Sequence, residues 1–556
     1  MKKLLINSAV LFTLFISVLQ AEQNETLKPK LILQITVDQL RGDLADKYMK
    51  NMGEGGFRYL KKDGLWYRSA FYKHSVTQTA VGHTTLATGA YPSAHGMISN
   101  SWYDRATKTK MYNVQDKSTY ILSFDETKDV SKNKDGRSPK NIISSTFSDE
   151  LSLLSNKKSK IFAVSVKDRG AVTLAGHNGK AFWFNKKTGE FVTSSFYYDK
   201  YPSWVKEYNS NKRNNEFSNK SWNTLFAKDE YIYKDDKAGE VDFGGFGKTF
   251  PHKYGDKSGK YFNYRIAFSP AGDELTLDFA KAIVSSENLG QNGETDFLAI
   301  SFSATDYVGH VFGPSSMEAE DNLLRLDKTL KNLFAFIDKK VGLKNTLIVL
   351  SADHGAPETP EHLHNFNIES KHLYIMNLGE DKKQLKKLGI DSSLIEAFVV
   401  PYLYLDYAEI KKRGLKVDEV AKDVSSKLMK MDGVGAAIIS SELKNNTASD
   451  TLLNRSAALN YNPERSGDIL IINKVHYNVN SHKETVACNH GSPWRYDTFV
   501  PVIFAGYGIK GKNIYREIEP NNIAPTLCAV VGAKYPSNAL KLPLEEVLKF
   551  TKTKGK

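Results

Sequence analysis

Five short stretches of the chain are apolar on both alternating faces: Leu31–Val37, Ile161–Val166, Phe297–Phe302, Thr346–Leu350 and Val500–Ala505. A strand with one wet face alternates apolar and polar, so runs of this kind predict strands buried on both sides of a parallel sheet. Between them, apolar positions recur at helical spacing over Tyr48–Lys61, Thr79–Thr88, Phe147–Ser155, Glu274–Ser286 and Met317–Lys339. Strands alternating with helices predict an α/β fold: a mostly parallel central sheet with helices on both faces. Two regions break the alternation. Residues about 180–265 are rich in Tyr, Trp, Phe, Asn and Lys and read as an insertion that shapes the mouth of a site. Residues about 378–485 hold a second α/β-like stretch, with an aromatic strand at Val400–Tyr407 and a helix at Val417–Met431, and read as an inserted cap. The expected organisation is one α/β domain over residues 22–556 carrying both insertions.

Ahead of the first strand, Lys2 and Lys3 precede an apolar run from Leu4 to Val18, broken only by Asn7, Ser8, Thr13 and Ser17. Ala21 then precedes a polar stretch, Glu22 to Lys30. This order predicts a secretory signal over residues 1–21, cut after Ala21, with an uncleaved anchor as the alternative. No Cys follows the run, so no lipid anchor is expected, and no second apolar stretch reaches the length of a membrane span. The expected location is therefore outside the cytoplasm, periplasmic or secreted, with no stable membrane anchor after cleavage. The two cysteines, Cys488 and Cys528, exclude a disulfide scaffold or a Cys-rich zinc module. Export permits a disulfide between them, but sequence supplies no distance.

Composition changes the picture little: 41% hydrophobic and 25% charged over 556 residues is globular and excludes collagen-like, coiled-coil and disordered chains. The formal charge of +13 attracts anions of any kind. Its sign alone chooses no partner among nucleic acid, anionic membranes and small phosphate-like anions; its lysines are scattered in short clusters such as Lys157–Lys160 and Lys549–Lys556, which read as surface solvation, and no motif supports nucleic-acid binding.

The informative residues follow the strands. The first strand ends in Asp38, the second in Lys167-Asp168-Arg169-Gly170, the third in Thr305-Asp306-Tyr307-Val308-Gly309-His310 and the fourth in Ala352-Asp353-His354-Gly355. Ligand sites of open α/β sheets lie beyond the carboxyl ends of the strands, so four strands deliver polar groups to one edge. Asp306 and His310 are four apart and converge on a helical turn. Asp353-His354 supplies two adjacent donors, and Asp38 and His490 are further candidates. Carboxylate and imidazole donors without thiolate suit a catalytic zinc or a related divalent ion. The segment from Ser75 to Gly89 holds the nucleophile candidates. Thr79 sits where loop becomes helix, and a helix N-terminus favours an anion there. Ser75 and Thr77 are equally plausible on these grounds, and simple capping is the plain alternative for Thr79. His83 and His95 are expected to support this loop, and His362 and His364 to stand behind the site.

Taken together, these residues resemble the alkaline phosphatase superfamily, which includes alkaline phosphatases, nucleotide phosphodiesterases, sulfatases and cofactor-independent phosphomutases. The resemblance runs from Leu31 to about Gly532. It implies that Asp38, Thr79, Asp353 and His354 hold one zinc, and that Asp306, His310 and His490 hold another. Asn100 in Ile98-Ser99-Asn100-Ser101-Trp102-Tyr103, with Lys167 and Arg169, looks like the PafA-type phosphate-irrepressible alkaline phosphatases. In that group the equivalent Asn, Lys and Arg bind the non-bridging phosphate oxygens and the nucleophile is Thr. The Cys/Ser-x-Pro-x-Arg pattern of formylglycine sulfatases is replaced here by Thr79-Ala80-Val81-Gly82-His83. The resemblance thus implies an exported zinc-dependent phosphate monoester hydrolase of broad range, acting through a phosphothreonine on Thr79. It implies two zinc ions per chain, no structural magnesium and small-molecule monoesters as substrates; a monomer is favoured over a dimer. A zinc phosphodiesterase or nucleotide pyrophosphatase of the same superfamily is the alternative, since only Asn100, Lys167 and Arg169 discriminate the two.

Overall fold

The computed structural model describes residues 28–552, apart from 126, 376–377, 379–380 and 481–485; the expected signal segment lies outside the described residues. The centre is a nine-stranded sheet. Its strands are β1 (Leu31–Val37), β2 (Leu65–Phe71), β3 (Ile161–Ser165), β4 (Lys180–Asn185), β5 (Glu190–Val192), β6 (Asp296–Phe302), β7 (Thr346–Ser351), β8 (Phe499–Gly506) and β9 (Lys512–Ile514). They lie in the order β9-β2-β8-β7-β1-β6-β3-β4-β5. β1 pairs parallel with both β6 and β7, and every one of its residues is buried, which is why its sequence shows no alternation. Successive side chains point to opposite faces. Leu31, Leu33, Ile35 and Val37 join one apolar layer, under α3 (Pro270–Ser286) and α5 (Met317–Lys340). Ile32, Phe297 and Val349 join the other, under α2 (Asp168–Ala175) and α6 (Ile523–Val531). The expected α/β architecture, with helices on both faces, is the one observed.

Three expectations need correction. The Val500–Ala505 strand was grouped with the parallel strands, but β8 runs antiparallel to both β7 and β2. The chain leaves β7 at its carboxyl end and comes back to that same end, where Gly355 N–H donates to the Asp497 carbonyl at 2.7 Å. A strand starting there can only run backwards. The helix expected over Tyr48–Lys61 is split into a short turn, Met49–Asn51, and a helix, Phe57–Asp63, because Gly53, Gly55 and Gly56 interrupt it. Residues 180–192, within the region read as an insertion, are β4 and β5 of the central sheet. The aromatic residues beyond them pack inward: Trp222, Tyr254 and Phe262 extend the layer under α3 and α5.

Within residues 378–485, strands Ile395–Val399, Tyr402–Leu405, Ile469–Asn473 and Val434–Ile439 form an antiparallel sheet in that order. Helix Val417–Leu428 covers one of its faces. The other presses Tyr402, Tyr404 and Leu470 onto Val76, Val81 and Ile98, around the start of α1 (Thr79–Thr88). Cys488 and Cys528 are both free and buried. Cys488 Sγ lies against the Gly309 carbonyl at 3.1 Å while Cys528 packs in the α6 layer, so no disulfide joins them.

Candidate active site

At the carboxyl edge of β1, β6, β3 and β7 the side chains picked out in the sequence come together. Thr79 opens α1, and Gln78 before it is extended. The Gln78 side-chain Oε1 accepts hydrogen bonds from Asn100 N–H at 2.7 Å and from Ser99 Oγ at 2.8 Å. Asn100 in turn accepts from Ala80 N–H through Oδ1 at 3.0 Å, which caps the first turn of α1 and leaves Nδ2 as the free donor. Arg169, in the first turn of α2, donates from Nη2 to Thr79 Oγ1 at 3.2 Å. Thr79, Asn100, Arg169, His310 and His490 line one cleft of about 280 Å³. Of the three hydroxyls left open by sequence, only Thr79 lines it; Thr77 Oγ1 donates to the Ser492 carbonyl at 2.8 Å, and Ser75 is buried elsewhere.

The donor atoms form two groups: Asp306, His310 and His490, and Asp38, Asp306 and His354, each with ligand atoms within 4.8 Å of one another. Asp306 and His310 lie one turn apart on α4 (Ala304–Phe312). Asp306 Oδ1 is 3.2 Å from His310 Nε2 and 3.3 Å from His490 Nε2. The opposite ring nitrogens are committed, His310 Nδ1 to the Cys488 carbonyl at 2.9 Å and His490 Nδ1 to the Thr77 carbonyl at 2.7 Å. Both Nε2 lone pairs are thereby aimed inward, as for metal-ligating imidazoles. In the second group, His354 Nε2 lies 3.5 Å from Asp38 Oδ1 and 3.3 Å from Asp353 Oδ2. Asp38 Oδ1 and His354 Nε2 are buried with no hydrogen-bond partner, while Asp38 Oδ2 faces Lys167 Nζ at 2.7 Å and Asp353 Oδ2 the His83 ring at 3.1 Å. Orphaned polar atoms of this kind are costly, and their convergence as oxygen and nitrogen donors fits a divalent cation.

Lys167 reaches the carboxylates of both groups. Its Nζ stands 2.7 Å from Asp38 Oδ2 and 2.5 Å from Asp306 Oδ2, and its side chain is 1% exposed. It does not line the cleft of Thr79 but a neighbouring one of about 610 Å³, shared with Arg169, Tyr112 and Tyr307. Burial alone would neutralise the ammonium; the Asp306 and Asp38 carboxylates outweigh it and push Lys167 up. Burial and then the Asp353 charge push Asp38 well above the usual carboxylate range. Asp306 goes the other way: burial is outweighed by His310 and Lys167, which hold it well below that range. Burial pushes His354 down to about 3, so its imidazole is neutral and free to ligate.

Supporting residues sort clearly. His83 Nδ1 lies 2.9 Å from the Thr79 carbonyl and 3.1 Å from Asp353 Oδ2, and Nε2 lies 2.8 Å from Ser301 Oγ, so it ties α1 to β7 and β6. His95 braces the loop after α1 through Thr85 Oγ1 and Met97 N–H, both at 3.1 Å. His362 and His364 were expected behind the site; their partners are Lys237 and the Ser370 carbonyl, not the donors above. Gln39 and Gln78 were missed, although each adjoins a residue picked out in the sequence. Gln39, at a φ of 68°, ties two carboxylates of the site together: its N–H donates to Asp353 Oδ1 and its Nε2 to Asp306 Oδ1, both at 3.1 Å.

Comparison with known proteins agrees with this geometry. Residues 32–494 match the type I phosphodiesterase / nucleotide pyrophosphatase family. The chain is 34% identical over 538 residues to alkaline phosphatase PhoV of Synechococcus elongatus, covering 94% of this chain and 93% of that protein. The crystal structure of alkaline phosphatase PafA superposes with a TM-score of 0.86 at 32% identity, covering 94% of this chain and 99% of that one. The chain belongs to the alkaline phosphatase superfamily, in its PafA-type branch. It is an enzyme of the phosphoric monoester hydrolase class. A PafA variant of equal structural similarity has one Thr, one Asn, one Lys and one Arg replaced together, the residue types of Thr79, Asn100, Lys167 and Arg169 here. A protein of Myroides odoratus named calcium-transporting ATPase is also 34% identical, over 543 residues. Among the described residues of this chain no helix is long and apolar enough to cross a membrane.

Proposed function

We propose that Thr79 is the nucleophile of a zinc-dependent phosphate monoesterase, transferring the phosphoryl group first to its own hydroxyl and then to water. The observation that carries the reading is the contact of Arg169 Nη2 with Thr79 Oγ1 beside converging, unpartnered carboxylate and imidazole atoms. Asp38, Asp353, His354 and Thr79 are the ligands for one zinc, and Asp306, His310 and His490 for the other. Bound zinc would lower the pKa of a coordinated hydroxyl and offset negative charge developing on the departing oxygen.

The chain's own groups account for the rest. Thr79 Oγ1 forms a bond to phosphorus as the bond to the leaving oxygen breaks, giving phosphothreonine and an alcohol; a water oxygen then displaces Thr79, releasing phosphate. Arg169 as a planar fork and the Asn100 amide meet the non-bridging oxygens, which carry more charge in a monoester dianion than in a diester. The buried Lys167 ammonium offsets the Asp38 and Asp306 charges and adds positive field behind them. It stands where a third cation would compete for the same two carboxylates, so two zinc ions and no magnesium are the expected complement. Charge selection favours monoesters over the phosphodiesterase reading. A broad range of small leaving groups, no nucleic-acid partner, a monomeric state and export through the residue 1–21 segment complete the proposal.

The test is to quench the enzyme with acid during turnover of an aryl phosphate and map the phosphoryl group by mass spectrometry. Label on Thr79, absent in Thr79→Ala, is the expected result. Label on another residue, or undiminished turnover by Thr79→Ala, would contradict it.

A further inference from the structure

The two groups assigned above to the phosphoryl oxygens belong to one closed ring of contacts. The chain after Asn100 forms a hairpin, Ser101–Asp104 paired with Thr109–Tyr112, which returns Tyr112 opposite Ser101. Asn113, the next residue, donates from Nδ2 to the Asn100 carbonyl at 2.6 Å. Tyr112 donates its hydroxyl to Asp168 Oδ1 at 2.6 Å. The same oxygen accepts Arg169 N–H at 2.8 Å, and Asp168 Oδ2 accepts Arg137 Nε at 2.7 Å. Arg169 reaches Thr79, and Ala80 N–H closes the ring on Asn100 Oδ1. Tyr112 links the Asn100 hairpin to the Arg169 segment on the side of the ring away from Thr79, through its hydroxyl on Asp168.

The electrostatics keep that link made. Burial and then the Asp168 carboxylate push the Tyr112 phenol up, so it remains a donor. Against burial, Arg137 and then Arg169 hold Asp168 below the usual range, so it remains an acceptor. Such a charge-assisted hydrogen bond is short and directional. Tyr112 lines the neighbouring cleft and not that of Thr79, so it acts on the reaction only through other groups.

We infer that Tyr112 is a positioning residue for the phosphoryl site: its bond to Asp168 sets the spacing between the Asn100 amide and the Arg169 guanidinium, and with it the preference for a dianionic phosphoryl group. The inference rests on the reading of Asn100 and Arg169 as phosphate-binding groups. A diester, with one charge less and a bulkier group in place of one oxygen, draws less on that spacing.

The experiment is a double-mutant cycle with the zinc-loaded full chain, using kcat/KM for an aryl phosphate monoester and for the matching methyl aryl diester. Tyr112→Phe should slow the monoester about tenfold, a part of the 10²–10³ lost when a donor is removed outright, and the diester by no more than about twofold. In the Arg169→Ala background the same change should have no further effect, because the group it positions is gone. Equal slowing of both esters, or an undiminished effect without Arg169, would overturn the inference. Should Arg169→Ala alone leave the monoester rate unchanged, the phosphate-binding reading itself fails. Slowing by Arg169→Ala without slowing by Tyr112→Phe removes only the role of Tyr112. Asp168→Asn weakens the same tie at constant volume and should reproduce the selective loss; it carries the test if Tyr112→Phe does not fold.

Discussion

Gly82 offers the sharpest test of how closely the catalytic helix must approach the metal-binding edge. It lies one turn into α1 and faces the backbone at the end of β7. A Cβ built there would meet the Asp353 carbonyl oxygen at 1.9 Å, its carbon at 2.6 Å and the Asp353 Cα at 2.7 Å. Ordinary contact begins at 3.4 Å, so helix and strand end would have to separate by 3.4 − 1.9 = 1.5 Å. All three neighbours are backbone atoms, and no side-chain rotation relieves them. The stability cost is substantial, since overpacking costs about 1–3 kcal/mol or more when backbone must move, and alanine recovers only about 1 kcal/mol of it through helix propensity. The cost in rate is larger still: a misplacement of about 1 Å in a reacting group typically loses about 10²-fold. Gly82→Ala should therefore lose about a hundredfold in kcat/KM for an aryl phosphate and also lower Tm. Zinc per chain, measured in the same preparation, should fall as Asp353 moves from His354. Wild-type turnover by a folded Gly82→Ala protein would refute the reasoning, because it would show that Thr79 and Asp353 need no close approach.

Two further outcomes follow from buried charge. Burial pushes Asp273 up to about 7, while its Oδ1 accepts Ala304 N–H at 3.1 Å at the start of α4. The folded chain thus keeps a proton that the unfolded chain loses from about pH 4, so stability falls as pH rises through the window from about 4 to 7. Asp273→Asn keeps an acceptor for Ala304 and should flatten Tm between pH 4 and pH 7; a Tm profile that still tracks the wild type would contradict this. Chelation should abolish turnover and lower Tm, since it leaves the converging Asp38, Asp353 and His354 atoms with no cation. Zinc should restore both and magnesium neither, and recovery with magnesium alone would refute the zinc assignment.

What the sequence revealed follows from which contacts are local. β1, β6 and β7 were legible because burial on both faces leaves continuous apolar runs. The direction of β8 was not, because a buried antiparallel strand has the same composition and its sense depends on where the chain returns. Asp306 and His310 were legible from one helical turn, and Arg169 from its place after a strand. The same reasoning could not say whether the Lys167 ammonium faces the Thr79 cleft or the Asp38 and Asp306 carboxylates, since those come from other strands. Gln39 owes its role to a left-handed backbone, and Tyr112 to a hairpin, and neither leaves a mark in spacing or composition.

The measurement that tests the central claim most directly is the ratio of kcat/KM for an aryl phosphate monoester to that for the matching diester, in the wild-type protein and in Arg169→Ala. The account predicts a strong monoester preference that falls by about 10²–10³ when the guanidinium is removed, because one preorganised donor to the dianion is lost. A preference for the diester, or a ratio unchanged by Arg169→Ala, would contradict it and place the chain's activity with the phosphodiesterases of its superfamily.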